Sequence, residues 1–424
     1  MRILLLTLQF PPDVNSTGLL MARLGQGLTA RGHHVSVVTT FPHYAQFRVW
    51  DEYRGRLAAR GQFQGMNVLR LYVHARGRKQ NMLNRLLSYV SFNVLALCAL
   101  LVDRQRYDVI LCQNGGFFSG LTAAVVGRIK AIPVVCNIQD LYPDTPVSTG
   151  QLRSPLAIKG LQLLERLTYR AVDRLTVITP SFAANLLRKG VPADKVAVIP
   201  NFVDTSFIRP VAKRNPFSLR EGLADRFLVT HAGNIGYVYD LETLLDAAAL
   251  LRDDHEVLIL IVGDGVAKAR LQQQAQQRGL TNVRFLPFQP MEDLPWLRGA
   301  SDVQVSLYKK GSAQHSMPSK IYEVMASGRP LLASAEQGSD IRRLVDDTGC
   351  GVCVDPEDAG QLAVAVRALL RDPARRAEMG RRGREQAEAH YALPTIVAQY
   401  EAVLSGVAGR RDALVAGGRG AHIG

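Results

Sequence analysis

The chain has 424 residues, 47% of them hydrophobic and 21% charged, with a formal net charge of +14. That length exceeds one ordinary core and suits two domains of about 200 residues each, and the balance excludes a disordered chain. The positive charge favours anionic partners, but the basic residues are scattered and no zinc-finger, RNP-like or basic-zipper spacing accompanies them, which excludes a nucleic-acid module.

Arg2–Phe10 is apolar but short, runs into Pro11-Pro12 and lacks a cleavage site, so it reads as a buried strand rather than a leader. The turn-rich loop Pro11–Gly18 offers Asn15 or Ser16 as the cap of a helix from Leu19 to Ala30. A strand from His34 follows Gly32, and Val68–Val73, Asp108–Gln113, Val134–Gln139, Arg174–Thr179 and Lys195–Pro200 continue the series. This alternation predicts a parallel sheet covered on both faces by helices. Within it, Met82–Val102 is rich in leucine, but Arg85, Ser88, Ser91 and Asn93 interrupt the ~20 apolar residues that a membrane span needs. With Arg76, Arg78, Lys79 and Arg85 before it and Arg104 and Arg106 after it, it suits a helix lying on an anionic membrane surface. An amphipathic helix packed on the sheet fits equally well.

The second half repeats the design. Phe227–Gly233 is a strand entering a glycine turn, Leu241–Leu251 a helix, Val257–Gly263 a strand and Ala267–Arg278 a helix. Strands at Val283, Asp302 and Pro330 follow. The stretch Asn201–Phe217, with Pro210 and Pro216, marks the boundary. We therefore expect domains at 1–204 and 205–385, a helix at 386–404 returning to the first domain, and a disordered Gly-, Ala- and Arg-rich tail at 405–424. Two α/β halves imply a ligand cleft between them.

Five cysteines lack a framework spacing; Cys98, Cys112 and Cys136 read as core residues, and Cys350-Gly-Val-Cys353 has no second pair to complete a zinc site. A reducing cytoplasmic compartment is expected.

Four elements could carry chemistry. Gly233-Asn234-Ile235-Gly236 lies between a strand and a helix, where glycines admit a phosphate to free backbone N–H groups, unless it is a plain turn. In Pro318-Ser319-Lys320-Ile-Tyr-Glu323, Lys320 and Glu323 share a helix face, so one can meet a phosphate and the other a ribose hydroxyl; a solvated ion pair is the bland reading. Asp140 follows an apolar strand, at the sheet edge where active sites form, or serves as a cap. The small residues of Pro11–Gly18 would let a ligand approach.

Together these residues resemble the large retaining glycosyltransferase family of GT-B fold, family 4. The likeness runs from Arg2 to about Leu404 through Phe10-Pro11-Pro12, Gly18, Arg31-Gly32-His33-His34, Pro200-Asn201-Phe202, Gly233-Asn234-Ile235-Gly236, Gly263-Asp264-Gly265 and Pro318-Ser319-Lys320 with Glu323 and Gly328-Arg329-Pro330. Asp140-Leu-Tyr-Pro resembles the branch that builds colanic acid, capsule and O-antigen repeat units. The resemblance implies two Rossmann-like domains facing a cleft and a nucleotide-sugar donor. Gly233, Asn234 and Gly236 would line its diphosphate, Lys320 would neutralise the leaving diphosphate, Ser319 would join the donor-binding residues, and Glu323 would hold the ribose. Gly263, Gly265 and Phe288 would flank the base. Gly18 would border the acceptor and Asp140 the reacting sugar. Two departures stand out: His315 occupies the first position of the family's E-x7-E element, and Tyr237 and Tyr239 stand where many relatives carry a basic residue.

The implied mechanism is transfer with retention by front-face attack, with Lys320 stabilising the departing diphosphate. No Asp-x-Asp motif lies between the halves, so neither metal nor other cofactor is expected. A polyprenyl-diphosphate-linked saccharide at the inner leaflet is the expected acceptor. The alternatives are a nucleotide-sugar epimerase of the same fold and a non-catalytic partner subunit.

Overall fold

The computed structural model describes residues 1–13, 15–44, 47–76, 82–115, 118–148, 152–312 and 317–419. They form two compact units, one lying within 1–200 and 393–419 and the other within 201–392.

In the first unit the order is β1 (Arg2–Leu6), α1 (Ser16–Ala30), β2 (His34–Thr40), β3 (Ala58–Phe63), β4 (Met66–Leu71), α2 (Met82–Val102), β5 (Val109–Gln113), α3 (Ser119–Lys130), β6 (Val134–Ile138), α4 (Asp144–Ser148), α5 (Pro155–Ala171), β7 (Arg174–Val177), α6 (Pro180–Arg188) and β8 (Val196–Val198). The strands line up as β3-β4-β2-β1-β5-β6-β7-β8, parallel except for β3. Ile3–Leu6, Val109–Cys112 and Val134–Ile138 are buried throughout, as expected of strands covered on both faces.

The second unit contains α7 (Pro216–Arg220), β9 (Phe227–Ala232), α8 (Leu241–Leu250), β10 (Val257–Val262), α9 (Lys268–Gln277), β11 (Val283–Leu286), α10 (Leu294–Ala300), β12 (Val303–Leu307), α11 (Lys320–Ala326), β13 (Leu331–Ser334), α12 (Asp340–Thr348), β14 (Gly351–Val354), α13 (Ala359–Arg371) and α14 (Pro373–His390). Its six parallel strands run β11-β10-β9-β12-β13-β14. The strand order reverses at β9, the switch point at which the ends of β9 and β12 diverge and open a crevice.

The last helix, α15 (Leu393–Arg419), belongs to the first unit and packs on α1. Ile396, Val397, Tyr400 and Leu404 are buried there, the Tyr400 hydroxyl meets Asn137 Nδ2 at 2.8 Å, and Glu401 pairs with Arg31 and His33. The helix continues through Arg419, where composition suggested a disordered tail from 405. Ala, Leu, Val and Arg are adequate helix formers, and a docked first half spares the rest the cost of nucleation.

β3 carries no apolar alternation and escaped the sequence reading. It is an exposed edge strand, paired to β4 by a hairpin whose turn residues Gln64 and Gly65 both have positive φ. The α2 segment also corrects an expectation. It is one unbroken helix of 21 residues, by length and composition long and apolar enough to cross a bilayer. The polar interruptions do not break the apolar stripe, because Ser88 and Asn93 are buried against the protein and bond the backbone of His74, Asn84 and Tyr89.

Candidate active site

In the second unit the site grows from the ends of β9 and β10. Gly233 (φ +136°) and Gly263 (φ +144°) leave those strands in conformations that only glycine adopts easily. Gly233 N–H donates to Val262 O at 2.9 Å and Ile235 N–H to Asp264 O at 2.8 Å, so the two glycine loops lie backbone against backbone. A Cβ on Gly263 would stand 1.9 Å from Gly233 O, and one on Gly265 would stand 2.4 Å from Ile235 O. A Cβ on Gly233 would meet nothing within 4 Å, so that glycine borders open space. Gly263→Ala is therefore expected to displace the 233–236 loop and lower the melting temperature, as read by thermal unfolding.

Lys320 opens α11 from the end of the β12–α11 connection. Its Nζ is buried, has no hydrogen-bond partner among the described residues, and stands 3.8 Å from the centroid of the Tyr239 ring. Burial, reinforced by the Arg298 cation and opposed by Glu323, brings its pKa down to about 7. An ammonium so placed is under-solvated and gains from any anion that reaches it. Glu323 Oε2 accepts from Arg298 Nη2 at 2.6 Å, and Arg298 Nη1 also donates to Gln304 Oε1. This clamp commits one carboxylate oxygen of Glu323. The sequence reading missed Arg298; its one signal was a basic residue inside the otherwise apolar Leu294–Ala300.

His231 is buried behind the loop, its Nε2 3.3 Å from Asn234 O. Burial, then Lys320 and Arg298, push its pKa well down, so it stays neutral. Tyr239 leans on His231 and Tyr308 and supplies an aromatic face to Lys320. Phe288 is 60% exposed, a free ring at the end of β11. Ser319 occupies the N-cap position of α11 without a side-chain capping bond, and Gly236 lies beside the Asn234 side chain. His315 lies outside the described residues.

In the first unit, Asn15 caps α1 by accepting from Gly18 N–H at 2.6 Å. A Cβ on Gly18 would come within 3.1 Å of the Gln9 backbone, so the loop closes tightly over β1. Asp13, buried in that loop, accepts from the N–H groups of His43 and Tyr44, each at 2.9 Å, and so ties the loops after β1 and β2 together. Asp140, just past β6, faces open space, yet enough protein surrounds it for desolvation to hold its carboxyl above the usual range. Arg85 turns inward to Tyr89 and Tyr142 beside this loop, which corrects its assignment as a basic flank of an apolar helix.

Two family models divide the chain between them. A glycosyl transferase 4-like domain matches residues 18–201 and the glycosyl transferases group 1 domain matches residues 217–386. The "Putative colanic acid biosynthesis glycosyl transferase WcaI" of Escherichia coli (strain K12) is 30% identical over 380 residues, covering 87% of this chain and 92% of the relative. The "Probable glycosyltransferase WbjE" of Pseudomonas aeruginosa is 25% identical, covering 68% and 72%. Among solved structures, Anabaena Alr3699/HepE in complex with UDP superposes with a TM-score of 0.72 at 18% identity over 96% of this chain and 100% of that one. WaaG, a glycosyltransferase involved in lipopolysaccharide biosynthesis, superposes with a TM-score of 0.68 at 16% identity over 96% and 99%. With two parallel-sheet Rossmann-like domains and both halves matched in order, the chain belongs to the GT-B glycosyltransferases of group 1.

Proposed function

We propose that this glycosyltransferase moves a sugar, with retention, from a nucleotide-sugar donor to a lipid-linked saccharide during cell-surface polysaccharide synthesis. The observation that carries this reading is the buried Lys320 ammonium, without a hydrogen-bond partner among the described residues, beside the open Gly233 loop. A departing diphosphate gains negative charge as the glycosidic bond breaks, and a cation already stripped of water stabilises that charge more than it stabilises the donor. Glu323 would accept from the ribose hydroxyls, and Phe288, Gly263 and Gly265 would flank the base. The donor class is further supported by the HepE structures, which hold UDP, UDP with glucose, or UDP-glucose. The colanic acid naming of WcaI supports the polysaccharide context. No covalent enzyme intermediate is invoked; a donor phosphate oxygen takes the acceptor proton, and Asp140 borders the reacting sugar. No metal or other cofactor takes part in this reading.

The acceptor's lipid would bring the enzyme to the cytoplasmic face of the membrane as a peripheral protein. Leu83, Leu86, Leu87, Val90 and Val94 form an exposed stripe on α2 at helical spacing. α3 packs beside α2 and adds exposed Ile129, and exposed Arg104, Arg106 and Arg128 lie around these helices. Changing Leu83, Leu87 and Val94 together to Ser is expected to move the protein from anionic vesicles to the supernatant in a sedimentation assay, with nucleotide affinity unchanged. Wild-type protein that never sediments with vesicles would refute the membrane contact.

The transferase itself is tested by nucleoside diphosphate release from UDP-, GDP- and dTDP-sugars, with and without a lipid-linked acceptor extract. Release from one donor, stimulated by acceptor and lost in Lys320→Ala, is the expected result. Conversion of the nucleotide sugar to a stereoisomer without net diphosphate release would favour donor-only chemistry of the epimerase type, and absence of both release and nucleotide binding would favour a non-catalytic subunit.

A further inference from the structure

The first unit holds a cavity of about 590 Å³ that none of the roles above employs. It opens past the C-terminal end of β4, with Val73 and Ala75 in its floor and Arg48, Arg54 and Arg76 around it. Tyr53 and Tyr72 add two phenols, and the Tyr53 ring is fixed by stacking on Phe41 with centroids 4.7 Å apart. Arg48 and Arg54 share a single carboxylate, Asp51, at 3.0 and 2.8 Å, and Arg76 makes no ion pair among the described residues. Three guanidinium groups against the carboxylates of Asp51 and the adjacent Glu52 leave one positive charge in excess. The neighbouring acid, Glu52, is engaged with Tyr53.

The cavity's position gives it meaning. It lies at the same edge of the sheet as Gly18 and Asp140, with β4 two strands from β1 and therefore about 10 Å away. Arg70, on β4, donates to Pro11 O at 2.5 Å and so binds this edge directly to the Pro11–Gly18 loop. Apolar floor and aromatic rings suit the faces of sugar rings, and guanidinium forks suit an oxyanion, which they grip bidentately.

We infer that this cavity is the acceptor's distal subsite, where Arg48, Arg54 and Arg76 hold an oxyanion borne by the acceptor while its reacting hydroxyl lies beyond the Pro11–Gly18 loop. The inference rests on the proposed transferase reading for the word acceptor; the recognition of an oxyanion does not. Two sources share that chemistry, the diphosphate of a prenyl carrier and the carboxylate of an acidic sugar.

The test uses the full chain carrying Lys320→Ala, so that the donor site does not compete for diphosphate. Farnesyl diphosphate and a uronic-acid disaccharide are titrated separately by calorimetry, then again with Arg54→Gln and Arg76→Gln added. Both arginines are exposed, and an unchanged melting temperature confirms that the fold is kept. Binding of one probe, weakened at least tenfold by the added pair, is expected, and the probe that binds identifies the source. In the Lys320 enzyme the same pair should raise the acceptor KM at least tenfold and leave the donor KM unchanged. Binding of neither probe, or binding indifferent to the two arginines, overturns the inference. An absence of transfer from every donor, with arginine-dependent binding intact, would instead overturn the transferase reading alone.

Discussion

Lys320→Met is expected to lower kcat/KM for transfer by about 10³ while raising the melting temperature by about 4 °C. Both effects follow from one placement. The ammonium is buried with no hydrogen-bond partner among the described residues, so the folded state bears a desolvation cost that an isosteric apolar chain avoids. Partial solvent access to the residue limits the gain to about 2 kcal/mol. The pKa near 7 also predicts a pH signature. Below pH 7 the free enzyme carries the charge; above it the lysine is neutral and must take up a proton when a diphosphate binds. Nucleotide affinity should therefore be greatest below pH 7 and fall by up to tenfold per unit as pH rises past it, until the pKa of the complex is reached. Stability changes in the opposite sense. The unfolded lysine binds its proton up to about pH 10.4, so this residue penalises the fold fully below pH 7 and progressively less from pH 7 upward. Nucleotide titrations at pH 6 and 8.5 in two buffers of different ionisation enthalpy would reveal the proton. Equal affinity at both values, with no proton uptake, would remove Lys320 from the diphosphate site.

The second large effect is expected at Arg298. Arg298→Met removes a buried cation that bonds both Glu323 and Gln304, and should cost about 2 kcal/mol in denaturant unfolding. That figure is below the usual cost of breaking a buried pair because the Glu323 side chain is 29% exposed and water can partly replace the lost partner. Nucleotide affinity should fall about tenfold as the Glu323 carboxylate loses its fixed orientation. A purely structural role would stop there. Arg298 also depresses the Lys320 pKa, so its removal should shift the midpoint of the nucleotide pH profile upward. Glu323→Gln should move that midpoint the other way, since Glu323 supports the lysine's charge. Midpoints unmoved in both variants would separate the clamp from the ammonium.

Much of this was legible in the residues themselves. The unbroken apolar run Val257–Val262 announced a strand buried on both faces, and the apolar spacing of Leu241–Leu250 announced an amphipathic helix. Gly233, Gly263 and Gly265 stood at strand ends, where the chain must turn through positive φ. Lys320 and Glu323 were paired by helical geometry. Less was legible where burial comes from distant segments. Arg298 looked like any basic helix residue until α10 placed it against Glu323, and Arg85 looked like a membrane flank until Tyr142 drew it inward. The β3 edge strand, open on one side, shows no apolar pattern because most of its residues are exposed.

The sequence by itself determined the class of fold, the glycine turns and the acid–base content of the site, because local spacing and backbone sterics act over a few residues. Tertiary structure alone decided the state of those groups. It set a tyrosine ring against Lys320, buried its ammonium and raised the Asp140 pKa, since desolvation and charge coupling depend on which remote atoms fill the surrounding space.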